Sequence, residues 1–314
     1  MRYSRALARL NQMAGRARKN PRWLVMESLS RFPLVRDLLR KLHRPPALDR
    51  YQRCRSRFKG VSSASAVASL HRHGYCTGLK LPQPIIDTIL RFTATGICYG
   101  DGSPSLGFRY SDKRLAQHTC GRVFSMAPYF LLGNLQPVVD ALAHDPLLLE
   151  ISARYFRHAP IVTGSRLWWV FAAPEAEFDH SLTTSFFHYD KDDYWALRLF
   201  FFLTPTDANH GPHVVVRGSH RHKPISQLVS LNGRSDQAIV AAYGQSNLVT
   251  VCGGVGDGFI EDPHCFHKAN RPVHGDRLML EIKYATRDYR VFAPPDPALL
   301  ATILGQPELL RDIG

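Results

Sequence analysis

From Ile161 to about Arg290 the sequence has the texture of a mainly β domain, a jelly roll or related sandwich with helices packed outside it. Three observations predict this. Runs of five to nine residues rich in apolar and β-branched side chains recur between turn residues, at 165–172, 183–190, 195–203, 213–217, 248–252, 258–262 and 277–284. The most apolar stretches, 167–173 and 199–203, have the length of buried strands, and no apolar run reaches the 18 residues of a membrane span. The 22 Gly and 21 Pro among 314 residues supply turns, and no internal repeat points to another architecture.

Taken in order, the first sixty residues read as short helices. Leu7, Leu10, Met13 and Ala14 share one face. Asn20 before Pro21 is an N-cap followed by proline at the first helical position, and that helix runs through Leu29. Leu34, Val35, Leu38, Leu39 and Leu42 form a third helix, which Arg44-Pro45-Pro46 ends. Ser62 to His73 suits a helix closed by Gly74; a strand follows near 75–79, and Pro84 opens an apolar helix through Phe92. Residues 96–125, with their Gly, Ser and Asp turns, are expected to be irregular and to hold a lid or substrate loop. Two further helices, 135–143 and 146–156, belong on the outside of the sheet. After the last strand Ala293-Pro294-Pro295 leads into a short C-terminal helix.

Charge divides the chain sharply. Residues 1–60 hold 17 Lys or Arg against Glu27, Asp37 and Asp49, so this segment carries the entire net charge of +14 and the rest balances to zero. Basicity is therefore a property of an appendage and says nothing of the main domain's substrate. The segment fits an anionic membrane surface, a polyanion or an organelle transit peptide, against the plain reading that its arginines solvate outer helix faces; it carries no specific nucleic-acid motif. The apolar core of a secretory leader is not found in it. Six scattered Cys without a Cys-x-x-Cys pair argue against structural zinc or a disulfide framework and for a reducing compartment. A cytoplasmic location is the first expectation, a peripheral-membrane or organelle location the alternative. Nucleophile-elbow, dinucleotide and P-loop signatures are missing.

The chemistry gathers at Phe186-Phe187-His188-Tyr189-Asp190. On a strand, His188 and Asp190 share one face two residues apart. A neutral imidazole and a carboxylate so placed are two members of the two-His, one-carboxylate facial triad, which leaves positions open on Fe(II). A second His-x-Asp, His274-Gly275-Asp276, has a central glycine that suggests a turn, and no histidine follows it. For the third ligand, spacing permits either His264 or His267 in Asp262-Pro263-His264-Cys265-Phe266-His267-Lys268. Other cupin arrangements fit poorly. His71 and His73 lie in an expected helix, where residues two apart do not share a face, and His220-Arg221-His222 has no suitable Glu after it.

The order His188-x-Asp190, then Asn209-His210-Gly211-Pro212-His213 through Gly218-Ser219-His220-Arg221, then His264 to Lys268, then Gly275-Asp276-Arg277 resembles the phytanoyl-CoA dioxygenase family over about residues 62–290. The resemblance implies a double-stranded β-helix (jelly-roll) core with flanking helices, Fe(II) as metal, 2-oxoglutarate and O2 as cosubstrates, and leaves ascorbate open as a stimulant. It selects His267 over His264, so that His188, Asp190 and His267 would hold iron. It also implies that Arg277 pairs with the distal carboxylate of 2-oxoglutarate, a role to which a guanidinium's two parallel donors are suited. Met279 stands where some relatives carry Ser or Thr. Asp190 stands where related halogenases carry a small residue, so hydroxylation is implied. The expected layout is a basic helical segment at 1–60, an oxygenase-like domain at 61–296 and a C-terminal helix or tail at 297–314. The expected function is hydroxylation of an unactivated C–H bond of a small molecule, with loops 96–125 and 191–194 meeting the substrate. The alternative is a non-catalytic β-helix scaffold tethered by its basic segment.

Overall fold

The computed structural model describes residues 20–228 and 233–290, with Gly15, Arg18 and Gly305 besides. The strand Ala196–Phe202 shows how alternation builds the core: Leu197, Leu199 and Phe201 join one apolar cluster with the outer helices, while Phe200 and Phe202 join a second inside the barrel. Arg198, between them in register, faces inward. Phe201 is fully buried, and its ring occupies the space a Cβ on Gly258 of the neighbouring strand would need. Truncating Phe201 to Ala would cost about 3–5 kcal/mol.

Eleven strands are named here in chain order: β1 Tyr75–Lys80, β2 Ile97–Tyr99, β3 Gly107–Arg109, β4 Met126–Tyr129, β5 Ile161–Val170, β6 Ala196–Phe202, β7 His213–Val216, β8 Leu248–Val251, β9 Asp257–Glu261, β10 His267–Ala269 and β11 Arg277–Ala285. A six-stranded antiparallel sheet runs β1-β9-β6-β11-β5-β4, and a three-stranded sheet β10-β7-β8 faces it. This is the jelly roll with flanking helices that the texture predicts. Six of the seven expected strands form within a few residues of their expected bounds, because buried alternation is a strong signal.

The exception is 183–190. Asp179 gathers the amide and hydroxyl of Ser181 on its carboxylate at 2.8 and 2.5 Å, Thr184 takes a left-handed φ of 52°, and the stretch coils instead of extending. Only Phe187 and His188 make isolated bridges, to Arg234 and His267. Residues 96–125, expected to be irregular, contain the β2–β3 hairpin and a helix at Lys113–Cys120. A helix at Asp236–Tyr243 also interrupts the β region. The helix expected around 7–14 and the C-terminal helix or tail at 297–314 lie outside the described residues.

The basic segment packs onto the barrel. Its helices Pro21–Leu29 (α1) and Pro33–Leu42 (α2) each begin with proline at the first turn, and Asn20 caps α1 through a 3.1 Å bond from the Arg22 amide. Trp23 and Met26 are buried against Tyr289, and the Glu27 carboxylate meets Lys191 at 2.5 Å. From α2, Arg36 reaches Asp262 at 3.6 Å and donates to the His220 carbonyl. Further on, the buried Asp145 caps the helix Pro146–Phe156 while accepting from Ser56 Oγ at 2.7 Å and the Arg57 amide at 2.8 Å. The boundary at residue 60 thus marks a change of charge, and contacts cross it. Among the described residues no helix is long and apolar enough to cross a membrane.

Candidate metal centre

Two backbone exchanges set the site. His188 and His267 trade amide and carbonyl at 3.0 and 2.8 Å, and the Asp190 amide donates to the Pro263 carbonyl at 2.8 Å. The bridge, not a regular strand, therefore brings His188, Asp190 and His267 together, with one ligand atom from each within 4.8 Å of the others. His267 Nε2 lies 3.4 Å and His188 Nε2 3.9 Å from Asp190 Oδ2, and the two rings meet edge to face at 4.3 Å.

Each imidazole is oriented by a carbonyl two residues earlier: His188 Nδ1 by Phe186 and His267 Nδ1 by Cys265, both at 3.0 Å. A carbonyl only accepts, so Nδ1 carries a proton on both rings and Nε2 is the nitrogen turned toward the cluster. That donor set, two Nε2 atoms and one carboxylate oxygen on one side of a site, fits a divalent iron with open positions. Burial and the neighbouring His267 push the His188 pKa down to about 4. For His267 burial works against charge, but the Glu261 and Asp190 carboxylates outweigh it and lift the pKa to about 9, so without a metal its Nε2 also holds a proton at neutral pH, directed at Asp190, which a bound metal would replace. Burial would raise the Asp190 pKa, yet Arg198 and the two histidines hold it well below the usual carboxylate range.

Arg198 is the residue that motif reading passes over. Its Nη1 lies 2.9 Å from Asp190 Oδ2 and 3.3 Å from Glu281, and its Nη2 2.6 Å from Asp192. A carboxylate oxygen has two lone pairs, so Oδ2 can take the guanidinium on one and a metal on the other. The available signal was a lone arginine in the otherwise apolar run Ala196-Leu197-Arg198-Leu199-Phe200-Phe201-Phe202. A second unforeseen group is Glu261, fully buried, whose Oε2 holds His213 Nε2 at 2.7 Å; His213 in turn stacks 5.5 Å from His267.

Arg277 sits at the start of β11, 1% exposed, and its Nε and Nη1 have no hydrogen-bond partner. Burial pushes its pKa down to about 10. A buried guanidinium without an anion is costly, and the cost marks where an anion belongs. Met279, two residues on, packs among Trp168, Val170 and Phe202 and offers no hydrogen bond to a carboxylate. His264 is buried with Nε2 on the Asp193 carbonyl at 3.0 Å, and His220 Nδ1 meets Cys265 Sγ at 3.5 Å; neither joins the cluster. His274-Gly275-Asp276 is a turn, with Gly275 at φ 73° and Asp276 bound to Tyr110, Lys113 and the Ala172 amide.

A cavity of about 1160 Å³ opens over Asp190 and Arg198. Asp101, Gly102, Lys191 and Asp192 from the expected loops line it, and so do Trp23 and Glu27 of α1, the 287–290 stretch and Arg166. Arg277 is not part of this lining. Arg166 stacks on Trp168 at 4.6 Å and makes no carboxylate contact within 4 Å among the described residues.

No family model matches the sequence, and no curated protein does. Solved structures match at low identity. The non-haem α-ketoglutarate-dependent epimerase SnoN from nogalamycin biosynthesis aligns with a TM-score of 0.50 at 16% identity, over 75% of this chain and 90% of its own. EctD from S. alaskensis, solved with 2-oxoglutarate and 5-hydroxyectoine, aligns at 0.47 and 16%, over 77% and 82%. HygX from Streptomyces hygroscopicus, solved with nickel, 2-oxoglutarate and hygromycin B, aligns at 0.45 and 14%, over 70% and 86%. At such identities SnoN speaks for a shared fold, and the other two carry no argument.

Proposed function

We propose that this chain is an Fe(II)- and 2-oxoglutarate-dependent oxygenase of the phytanoyl-CoA dioxygenase kind, hydroxylating an unactivated C–H bond of a small molecule. One observation carries the reading: a barrel whose interior pairs a His–Asp–His cluster, both Nε2 atoms turned toward the Asp190 carboxylate, with a buried guanidinium whose Nε and Nη1 meet no anion. His188, Asp190 and His267 would hold iron. The chemistry such a group supplies when bound is oxidative decarboxylation of 2-oxoglutarate by O2, one oxygen atom passing to succinate, with CO2 released, and the other into the substrate C–H bond.

The chain's own residues supply orientation. The Phe186 and Cys265 carbonyls fix the two imidazoles, Arg198 fixes the Asp190 carboxylate, and Arg277 offers two donors to the distal carboxylate of the cosubstrate. The cavity over Asp190 has room for a substrate. SnoN is an epimerase, so the fold leaves more than one outcome open; a carboxylate at Asp190, where halide would need the place, favours hydroxylation over halogenation.

Arg166 gives a second reading of the anchor, because it lines the cavity and lacks a close carboxylate. Succinate formation across a panel of metabolite pools, with Fe(II) and 2-oxoglutarate, tests both. Arg277→Ala should raise the KM for 2-oxoglutarate steeply with Fe(II) binding intact; the same effect from Arg166→Ala alone would move the anchor there. His267→Ala should abolish iron-dependent turnover and His264→Ala should not. Intact Fe(II) binding without 2-oxoglutarate turnover on any substrate would return the scaffold reading.

A further inference from the structure

Helix α2 packs against the barrel with the wrong face inward for an ordinary surface helix. Its inward residues are Val35, Leu39, Arg36 and Arg40: Leu39 lies against the main core, Arg36 is buried on Asp262, and Arg40 meets His71 at 3.2 Å. Its outward stripe is leucine. Leu34, Leu38 and Leu42, at successive four-residue steps, are 84%, 62% and 72% exposed. On α1 and the turn before α2, Leu24, Val25, Leu29 and Phe32 are also exposed. Seven of the thirteen exposed large apolar residues among the described ones thus fall within nineteen consecutive residues. Elsewhere such residues are scattered singly, which is normal; this concentration on two adjoining helices is not.

Charge identifies what covers the patch. The exposed Arg18, Arg22, Lys41 and Arg44 flank it, and in the cleft beside α2 Arg157 and Arg221 stand with Arg40 and Lys41. The first sixty residues carry the chain's whole net charge of +14. A second copy of the chain would bring an equally positive face against this one, and a soluble polyanion would leave the leucines in water. A surface offering both negative charge and an apolar interior satisfies both features at once. We propose that α1 and α2 form a peripheral docking face for an anionic lipid bilayer, with Leu34, Leu38 and Leu42 entering the acyl boundary and the flanking arginines and lysines contacting headgroup phosphates.

The full chain should co-sediment with vesicles of phosphatidylcholine plus phosphatidylglycerol, and at least about tenfold more weakly with phosphatidylcholine alone, since each cation near an anionic surface adds to binding. Replacing all three leucines (Leu34→Ser, Leu38→Ser, Leu42→Ser) should reduce binding to the mixed vesicles by about tenfold or more at unchanged far-UV circular dichroism, because these side chains touch no core. Should that variant not fold, Lys41→Glu with Arg44→Glu must weaken vesicle binding by a comparable factor. Wild-type protein that ignores both vesicles, or binds them equally with and without the leucines, overturns the proposal. So does a wild-type dimer that the serine variant dissolves without any vesicle binding, or binding to single-stranded DNA alone that the leucines do not affect.

Discussion

Two arginines face the interior of the same barrel and are treated in opposite ways. Arg198 on β6 is surrounded by Asp190, Asp192 and Glu281, all within 3.3 Å of its guanidinium. Arg277 on β11 has none of these: its Nε and Nη1 are unbonded and burial lowers its pKa. Arg198 is thus enclosed by carboxylates, whereas among the described residues no anion meets the Nε and Nη1 of Arg277. An unpaired buried cation costs a fold stability, and on the proposed function the difference separates a residue that holds the barrel together from one that would meet the cosubstrate.

The largest test of this contrast is Arg198→Met. It strands three carboxylates in the barrel, and unfolding in urea should show a loss of about 3–5 kcal/mol. A loss under about 1 kcal/mol would mean that solvent already screens the cluster, and the contrast would fail. Next comes Arg277→Met, which should leave the metal-free protein as stable as wild type or slightly more so, because a lone buried charge disappears. Its KM for 2-oxoglutarate should rise about 100-fold, roughly 3 kcal/mol of lost binding, in steady-state kinetics. Arg277→Lys should recover only part of this, since an ammonium keeps the charge without the two parallel donors. Thermal shift sharpens the same point: 2-oxoglutarate should raise the Tm of wild type and not that of Arg277→Met.

A smaller effect concerns the charge closure that ties α2 to the barrel. Burial would raise the pKa of Asp262, but His264, Arg36 and His220 outweigh it and hold the carboxyl well below its ordinary value, while Tyr155 donates to it at 2.6 Å. A depressed folded-state pKa stabilises above the unfolded value near 4 and the gain is lost as pH falls below it. Asp262→Asn should therefore remove part of the acid sensitivity below about pH 4 and cost about 1–3 kcal/mol at neutral pH. The last effect belongs to the largely buried pair Glu27–Lys191, with side chains 11% and 16% exposed, where Glu27→Gln removes the ammonium's carboxylate and should cost about 1–2 kcal/mol and be read in substrate KM, since both residues line the cavity.

How much of this was legible varies by residue. Six strands could be read from alternation, which is local, and so could the turn at Gly275. The candidate ligand set was half legible. His188-x-Asp190 is visible as spacing, but the stretch around it is not the strand that spacing assumes. Its geometry comes from the bridge to His267, seventy-nine residues away in the chain. The same bridge separates His267, whose neighbours continue into β10, from His264, whose amide turns back onto Asp262 Oδ1 at 2.8 Å. Spacing alone allowed both.

Sequence by itself therefore determined the β texture, the helix starts at Asn20-Pro21 and Asp145-Pro146, and the segregation of positive charge into the first sixty residues, because each depends on neighbours within a few positions. Tertiary structure alone decided which arginine is satisfied and which is not, since Arg198 and Arg277 look alike as letters inside apolar strands and differ only in the carboxylates that other strands bring to them. It also decided that α2 turns its arginines inward and its leucines out. A helical wheel shows two faces, and only the position of Asp262 at the end of β9 chooses between them.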